Sequence, residues 1–441
     1  MSETLIAGPA GRSLAGDITP PGDKSISHRV IMLAAMADGT TEVHGFLPGE
    51  DNLATAQMFS QMGVRIEWLN DEKTSLRVHG VELYGLKEPQ EVLDAGNSGT
   101  CVRLMTGVLA GQKFASTLTG DDSLKSRPMK RVVDPVRRMG ASVEGREGGE
   151  YLPLTIQGGD LHAIEHVSQV ASAQVKSCVL LAGLFAEGET RVSEPKPSRD
   201  HTERMLPLFG QPVSVHGNTA SLVPAGQLTA PPAEIHVPAD PSSGCFFAVA
   251  ASLVPDSQVC LRGVGINPRR DGWRRILTQM GASIEEGHSL KLGEEPVADL
   301  LTAFAPLKGA TVRQDDIADA IDEFPVLFVA ASLADGEFIL KGAAELRVKE
   351  SDRIAAMAEC LIACGAEIEE FDDGVRITGC KQLTGGVSVD ARGDHRIAMA
   401  MAVAAQRANS AIEIRNAGGI HTSFPNFVQM AQDIGMQVEW A

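Results

Sequence analysis

Gln61-Met62-Gly63-Val64-Arg65-Ile66-Glu67 ends an amphipathic stretch on a glycine and passes into a short alternating one. The phrase returns as RMGASVE (138–144), LFGQPVSV (208–215), QMGASIE (279–285), ACGAEIE (363–369) and DIGMQVE (433–439). A helix stops readily at a residue that can turn left-handed, and glycine does so without a Cβ clash. Gly63, Gly140, Gly210, Gly281, Gly365 and Gly435 therefore read as six helix stops, separated by 77, 70, 71, 84 and 70 residues.

A second phrase runs in phase with the first. A short polar turn opens an Ala-rich apolar helix, and an alternating strand follows. The copies begin at GDKSISHRVIMLAAMADG (22), GNSGTCVRLMTGVLAG (96), SAQVKSCVLLAGLFAEG (172), ADPSSGCFFAVAASLVPD (239), DEFPVLFVAASLADG (322) and GDHRIAMAMAVAAQRAN (393). The unit is thus βαβαββ, about 73 residues long and present six times in 441 residues. A helix apolar on nearly every face belongs inside a domain, so helices should lie within and sheets outside. A chain this long exceeds one ordinary core. Pro20-Pro21 and Val237-Pro238 flank stretches of three copies each. They divide the chain into a domain of 22–238 and a second of 1–21 plus 239–441, with a double-crossover hinge near 20–22 and 237–240. The first strand, around 3–18, then falls to the second domain.

Composition narrows the chemistry. The formal charge of −18 disfavours nucleic acid and anionic membranes as partners, so an anionic ligand must be met by a local basic cluster. The N-terminus has no signal-peptide pattern, and no apolar run approaches the ~18–20 residues that span a bilayer. The seven Cys are scattered without zinc spacing and read as buried small apolar residues. A cytoplasmic, monomeric protein is expected. No GxxxxGK[ST], GxGxxG after a strand, HExxH or GxSxG occurs, so no nucleotide, metal or other cofactor is expected.

The turns that open the apolar helices carry Lys24-Ser25-Ile26-Ser27-His28-Arg29, Asn97-Ser98-Gly99-Thr100, Ser172-Ala173-Gln174 and Gly393-Asp394-His395-Arg396. Helix N-termini offer free N–H groups and the positive dipole end, which suit anions. Three further basic segments are Lys125–Arg131, placed at a helix start beside Pro128, then Ser198–Thr202 and Arg347–Arg353. In the last, Lys349 and Arg353 are spaced i,i+4 and can point one way.

PPGDKSISHR (20–29), LDAGNSGTCVRL (93–104), LTGDDSLKSRPMKR (118–131), ASAQVKS (171–177), SRDHTERML (198–206), LRVKESDRI (346–354) and RGDHRIAMAMA (392–402) resemble, in order, the 3-phosphoshikimate 1-carboxyvinyltransferase (EPSP synthase) family. The resemblance implies a two-domain inside-out α/β barrel with three βαβαββ units per domain. It implies transfer of the enolpyruvyl group of phosphoenolpyruvate to the 5-hydroxyl of shikimate 3-phosphate, with release of phosphate. It places Lys24, Ser25, Arg29, Ser172, Ala173, Gln174, Arg199, Asp322 and Lys349 on shikimate 3-phosphate. It places Lys24, Gly99, Arg127, Gln174, Arg353 and Arg396 on phosphoenolpyruvate. Asp322 matches the carboxylate that takes the hydroxyl proton. Glu350 matches the proposed acid toward the methylene carbon, with Lys24 the competing candidate. Read from the residues alone, Asp322 is an N-cap of the helix that follows it.

Two departures mark the chain. Thr422 in His421-Thr422-Ser423-Phe424-Pro425 stands where some members carry a Lys over phosphoenolpyruvate, and Ala173 stands where some carry Ser. Both resemble the branch called class II, although Gly99 is commonly Ala there. Gly99 leaves room for a mimic such as glyphosate, so strong resistance is not expected. Two other functions fit parts of the pattern. One is the sister transferase acting on UDP-N-acetylglucosamine, whose reactive loop Cys has no counterpart in LTGDDSLKSRPMKR. The other is a non-catalytic anion-binding scaffold.

Overall fold

Each of the six marked glycines ends its helix left-handed, with φ between +82° and +116°. The computed structural model describes residues 3–441. At the first stop, the N–H of Gly63 reaches the carbonyl of Ser60 and that of Val64 reaches Phe59. The same pair of bonds recurs at Gly140, Gly210, Gly281, Gly365 and Gly435. This is the Schellman arrangement, in which the two residues after the cap satisfy carbonyls that the helix end leaves open.

The apolar helices are Lys24–Ala35, Gly99–Ala110, Ala173–Gly183, Pro241–Leu253, Phe324–Ser332 and His395–Ala405. Every residue of Pro241–Leu253 and Phe324–Ser332 is buried. Small side chains let these helices approach closely. A Cβ on Gly107 would lie 2.2 Å from the carbonyl oxygen of Cys178 on the neighbouring helix. Six of the seven Cys are buried, Cys101 and Cys178 in one apolar core and Cys245, Cys360 and Cys364 in the other.

Mixed sheets flank the helices, and most strands bury alternate residues, as in Tyr151–Gln157 and Thr190–Ser193. The second repeat shows the βαβαββ order plainly. Leu93–Asp94 leads to the helix Gly99–Ala110, then Ala115–Thr119, the helix Lys130–Arg138, Ser142–Gly145 and Tyr151–Gln157. Its sheet pairs Leu93–Asp94 parallel to Ala115–Thr119, which pairs antiparallel to Tyr151–Gln157, which pairs antiparallel to Ser142–Gly145. Of the seven other sheets, four have four strands and two are two-stranded pairs, Leu161–His162 with Ala186–Glu187 and Leu228–Thr229 with Ala37–Asp38. The last, Glu337–Leu340, Gly374–Thr378 and Glu367–Phe371, has its fourth edge reduced to the parallel bridge of Thr311 to Ile339.

Contacts divide the chain into two compact units. One is Gly22–Val237 with Leu292–Glu294; the other comprises the residues up to Pro21, Pro238–Lys291 and Glu295–Ala441. Each has its own apolar core. In the first, the late strand Ile235–His236 completes the sheet of Thr40–His44. In the second, the stretch read as one strand around 3–18 forms two. Leu5–Ala7 lies inside a sheet between Ile412–Arg415 and Val438–Trp440, and Ala15–Ile18 edges Gln258–Gly265. Among the described residues, no helix is long and apolar enough to cross a membrane.

Candidate active site

In the Gly22–Val237 unit, three helix starts carry the basic and polar groups. Asp23 caps Lys24–Ala35 by accepting from the N–H of Ile26. Lys24 then extends from the first turn to Asp51, Nζ to Oδ2 2.5 Å. Arg29, one turn on, is buried and held from three sides. Its Nε donates to Thr202 Oγ1 at 2.7 Å, one Nη to Ser177 Oγ at 2.7 Å, and the other to the carbonyl of Ser25 at 2.9 Å. His28 sits between Thr55 Oγ1 and Ser98 Oγ. Burial, with Lys24 and Arg29 alongside, pushes its pKa well below the usual histidine value, so it is neutral.

Ser98 caps Gly99–Ala110, and Ser172 caps Ala173–Gly183. Gln174, in the first turn of the latter, accepts from Arg103 at 2.7 Å and donates to Thr100 Oγ1 at 3.1 Å. Gly99 lies against two guanidinium groups: an added Cβ would be 3.1 Å from Arg103 Nη1 and 3.4 Å from Arg127 Nη1. Arg127 does not start a helix. It lies between Asp122–Lys125 and Lys130–Arg138, where Asn97 and Ser123 hold its guanidinium. Pro128, without an N–H, favours such a break.

Several contributors went unmarked in the sequence reading. Arg103 is one, although a lone Arg in an apolar helix is itself a signal. Lys176 is another: buried, it pairs with Glu194 at 2.9 Å and Glu203 at 2.8 Å. Burial works against its charge, but Glu203 and Glu194 prevail and leave its pKa above the usual range. Glu194 also accepts from the backbone N–H of Ser172 and from Ser198 Oγ, so one carboxylate fixes the turns on either side. Arg199 follows Ser198 in that turn.

In the second unit, Arg353 organises the groups. Only 1% exposed, it stands at the start of Arg353–Ala363 and meets three carboxylates. Nε donates to Asp394 at 2.9 Å, Nη1 to Asp322 at 3.0 Å and Nη2 to Glu350 at 2.5 Å. Lys349 Nζ lies 3.6 Å from the same Asp322 oxygen. Lys349 and Arg353 do not share a helix, because the 3-10 turn Ala344–Val348 ends before them and the next helix begins at Arg353. They converge on Asp322 all the same. The cap position of Phe324–Ser332 is Glu323, with no side-chain cap bond, and not Asp322, whose carboxylate turns to the two cations instead.

Asp394 caps His395–Ala405 by accepting from the N–H of Arg396. Burial would raise its pKa; Arg353 prevails and holds the carboxyl below the usual range. Arg396 donates to the carbonyl of Asp322 at 2.8 Å and lies 3.7 Å from Glu323. Glu323, buried, accepts from Ser242, which with Asp240 is tied to Arg270. This second tier lies outside the segments singled out in the sequence, although its Arg270 belongs to the basic run Arg269-Arg270-Asp271-Gly272-Trp273-Arg274-Arg275. Thr422 donates to the carbonyl of Gly419 at 2.7 Å, a local bond that closes its short helix.

The family model for EPSP synthase (3-phosphoshikimate 1-carboxyvinyltransferase) matches residues 9–430. This chain belongs to the EPSP synthase family. The 3-phosphoshikimate 1-carboxyvinyltransferase of Methylococcus capsulatus is 53% identical over 436 residues, 99% of this chain and 98% of its own. That of Xanthomonas axonopodis pv. citri is 50% identical, over 98% and 97%. The solved EPSP synthase of Acinetobacter baumannii is 45% identical with a TM-score of 0.89, each chain covered in full. The enolpyruvyl transferase NikO of Streptomyces tendae, 17% identical at a TM-score of 0.80, shares the fold and covers 100% of this chain and 99% of its own. The EPSP synthase fold thus accounts for the six-fold repeat, with its helices inside and sheets outside.

Proposed function

We propose that the chain transfers the enolpyruvyl group of phosphoenolpyruvate to the 5-hydroxyl of shikimate 3-phosphate, giving 5-enolpyruvylshikimate 3-phosphate and phosphate. The observation that carries the catalytic assignment is the meeting of Asp322 and Glu350 on one buried Arg353, with Lys349 beside Asp322. Addition needs a proton delivered to the methylene carbon and another removed from the attacking hydroxyl. Elimination then takes a proton from the new methyl group as phosphate leaves. Two carboxylates beside one anion-binding cation suit such a sequence. Arg353 is paired through all three nitrogens. An incoming carboxylate or phosphate takes a guanidinium bidentately. In this reading it displaces Asp322 and Glu350 from the two terminal nitrogens and releases them for proton transfer, while Asp394 keeps Nε.

Lys24, Ser25, Arg29, Ser172, Ala173, Gln174, Arg199 and Lys349 take shikimate 3-phosphate in this reading, and Lys24, Gly99, Gln174, Arg127, Arg353 and Arg396 take phosphoenolpyruvate. The crossings near 20–22 and 237–240 act as the hinge; an unchanged radius of gyration on adding shikimate 3-phosphate would count against that. The main test is phosphate release that depends on both substrates, in wild type beside Asp322→Ala and Glu350→Ala. Each variant should lose about 10²–10⁴-fold in kcat while remaining folded. Full activity in both would remove their assigned roles.

A further inference from the structure

Glu42-Val43-His44 and Glu234-Ile235-His236 are two copies of one triplet, far apart in the chain. Glu and His two residues apart on a strand point to the same face. The strands Thr40–His44 and Ile235–His236 pair in parallel, with Val43 opposite Ile235 and His44 opposite His236. Both pairs of side chains therefore meet on one outward face of the Gly22–Val237 unit. His44 Nε2 lies 3.4 Å from Glu42 Oε1 and 3.3 Å from Glu234 Oε2. Among the described residues, only Glu42, His44 and Glu234 bring three such ligand atoms within 4.8 Å of one another.

Those spacings suit a metal ion. Tetrahedral zinc with bonds of roughly 2.0–2.2 Å sets its ligand atoms about 3.3–3.5 Å apart. Two edges of such a tetrahedron are already formed around His44. Its other nitrogen, Nδ1, is 3.1 Å from Ser75 Oγ, the outer contact that orients a metal-binding imidazole. The second oxygen of Glu42 is held by Arg77 at 2.7 Å, which leaves Oε1 directed at His44. His236 stacks on the His44 ring at 5.2 Å, and its Nε2 is 3.7 Å from the same Glu234 oxygen. All four side chains are solvent-accessible, so an ion can enter without rearrangement.

We propose that Glu42, His44 and Glu234 form a surface site for a divalent transition-metal ion, completed by water, separate from the groups assigned to carboxyvinyl transfer. The ion would tie the two-residue strand Ile235–His236 to its neighbour, immediately before the chain leaves this unit. The test uses full-length protein stripped with a chelator and titrated with zinc chloride by calorimetry, with thermal unfolding in parallel. The expected result is one zinc per chain and a Tm that rises with zinc. His44→Ala should weaken binding by about tenfold or more, abolish the Tm rise and leave phosphate release unchanged. Glu234→Gln, at a more exposed ligand, should do the same should His44→Ala disturb the sheet. Absence of stoichiometric zinc binding overturns the proposal. So does unaltered binding in both variants, which would put the ion elsewhere, for example at the partly exposed Cys380.

Discussion

A methyl group on Gly99 would stand 3.1 Å from one terminal nitrogen of Arg103 and 3.4 Å from one of Arg127. Gly99→Ala should therefore shift Arg103 and the Gln174 it holds, raising KM for phosphoenolpyruvate about tenfold (~1.4 kcal/mol) and weakening glyphosate inhibition further. Steady-state kinetics with and without the inhibitor decide it, and an unchanged inhibition constant would sink the argument. Asp394 makes a second case. Its carboxylate serves Arg353 and caps a helix, and Asp394→Asn keeps the cap oxygen while removing the charge. Loss of one partner of a buried pair costs about 3–5 kcal/mol. The folded pKa lies below the unfolded one of about 3.9. The stability from its ionised form is thus complete above that value and is lost as pH falls through the folded one. Urea unfolding should show the gap between wild type and variant at neutral pH narrowing below about pH 4. A gap independent of pH would mean that the charge contributes nothing.

At the scale of elements, the helix stops were legible because each rests on a local fact, a glycine that must turn left-handed. Gly210 isolates that fact, since φ is +82° and an added Cβ meets nothing within 4 Å. Gly210→Ala should cost only the backbone strain, about 1–2 kcal/mol. Gly107→Ala meets a backbone carbonyl 2.2 Å away, forces two helices apart and should cost more than Gly210→Ala. Equal losses in denaturant unfolding would contradict this account of the glycines. The segments of the candidate site were legible for a similar reason, since basic residues at helix starts stand out against a chain of charge −18. Their buried carboxylates were not. Glu194, Glu323 and Asp394 look like ordinary acids in sequence, and only packing brings them to Lys176, Arg396 and Arg353. Asp322 is the converse case: the residues alone suggest a cap, the family resemblance a reactive carboxylate, and long-range cations turn the carboxylate away from the helix end.

Across the whole molecule, the pairing of distant strands lay beyond local pattern, and it governs how the chain can be divided. Every sheet of the Gly22–Val237 unit is built from its own strands, with Ile235–His236 completing the one that Thr40–His44 begins. Its core is likewise made only of its own residues. The other unit depends on the start of the chain. Leu5–Ala7 occupies an interior place in its sheet, and without it Ile412–Arg415 and Val438–Trp440 lose a shared partner. An interior strand supplies hydrogen bonds on both edges, and leaving them open in a half-buried sheet costs about 1–3 kcal/mol for each buried group left unpaired. Expressed alone, residues 22–237 should therefore fold, with native far-UV circular dichroism and one cooperative urea transition. Residues 238–441 alone should not, and a peptide covering residues 3–21 should restore their cooperative transition. Cooperative unfolding of 238–441 without the peptide would show that the inserted strand is dispensable. Failure of 22–237 to fold would show that its sheets, though complete, need the rest of the chain for stability.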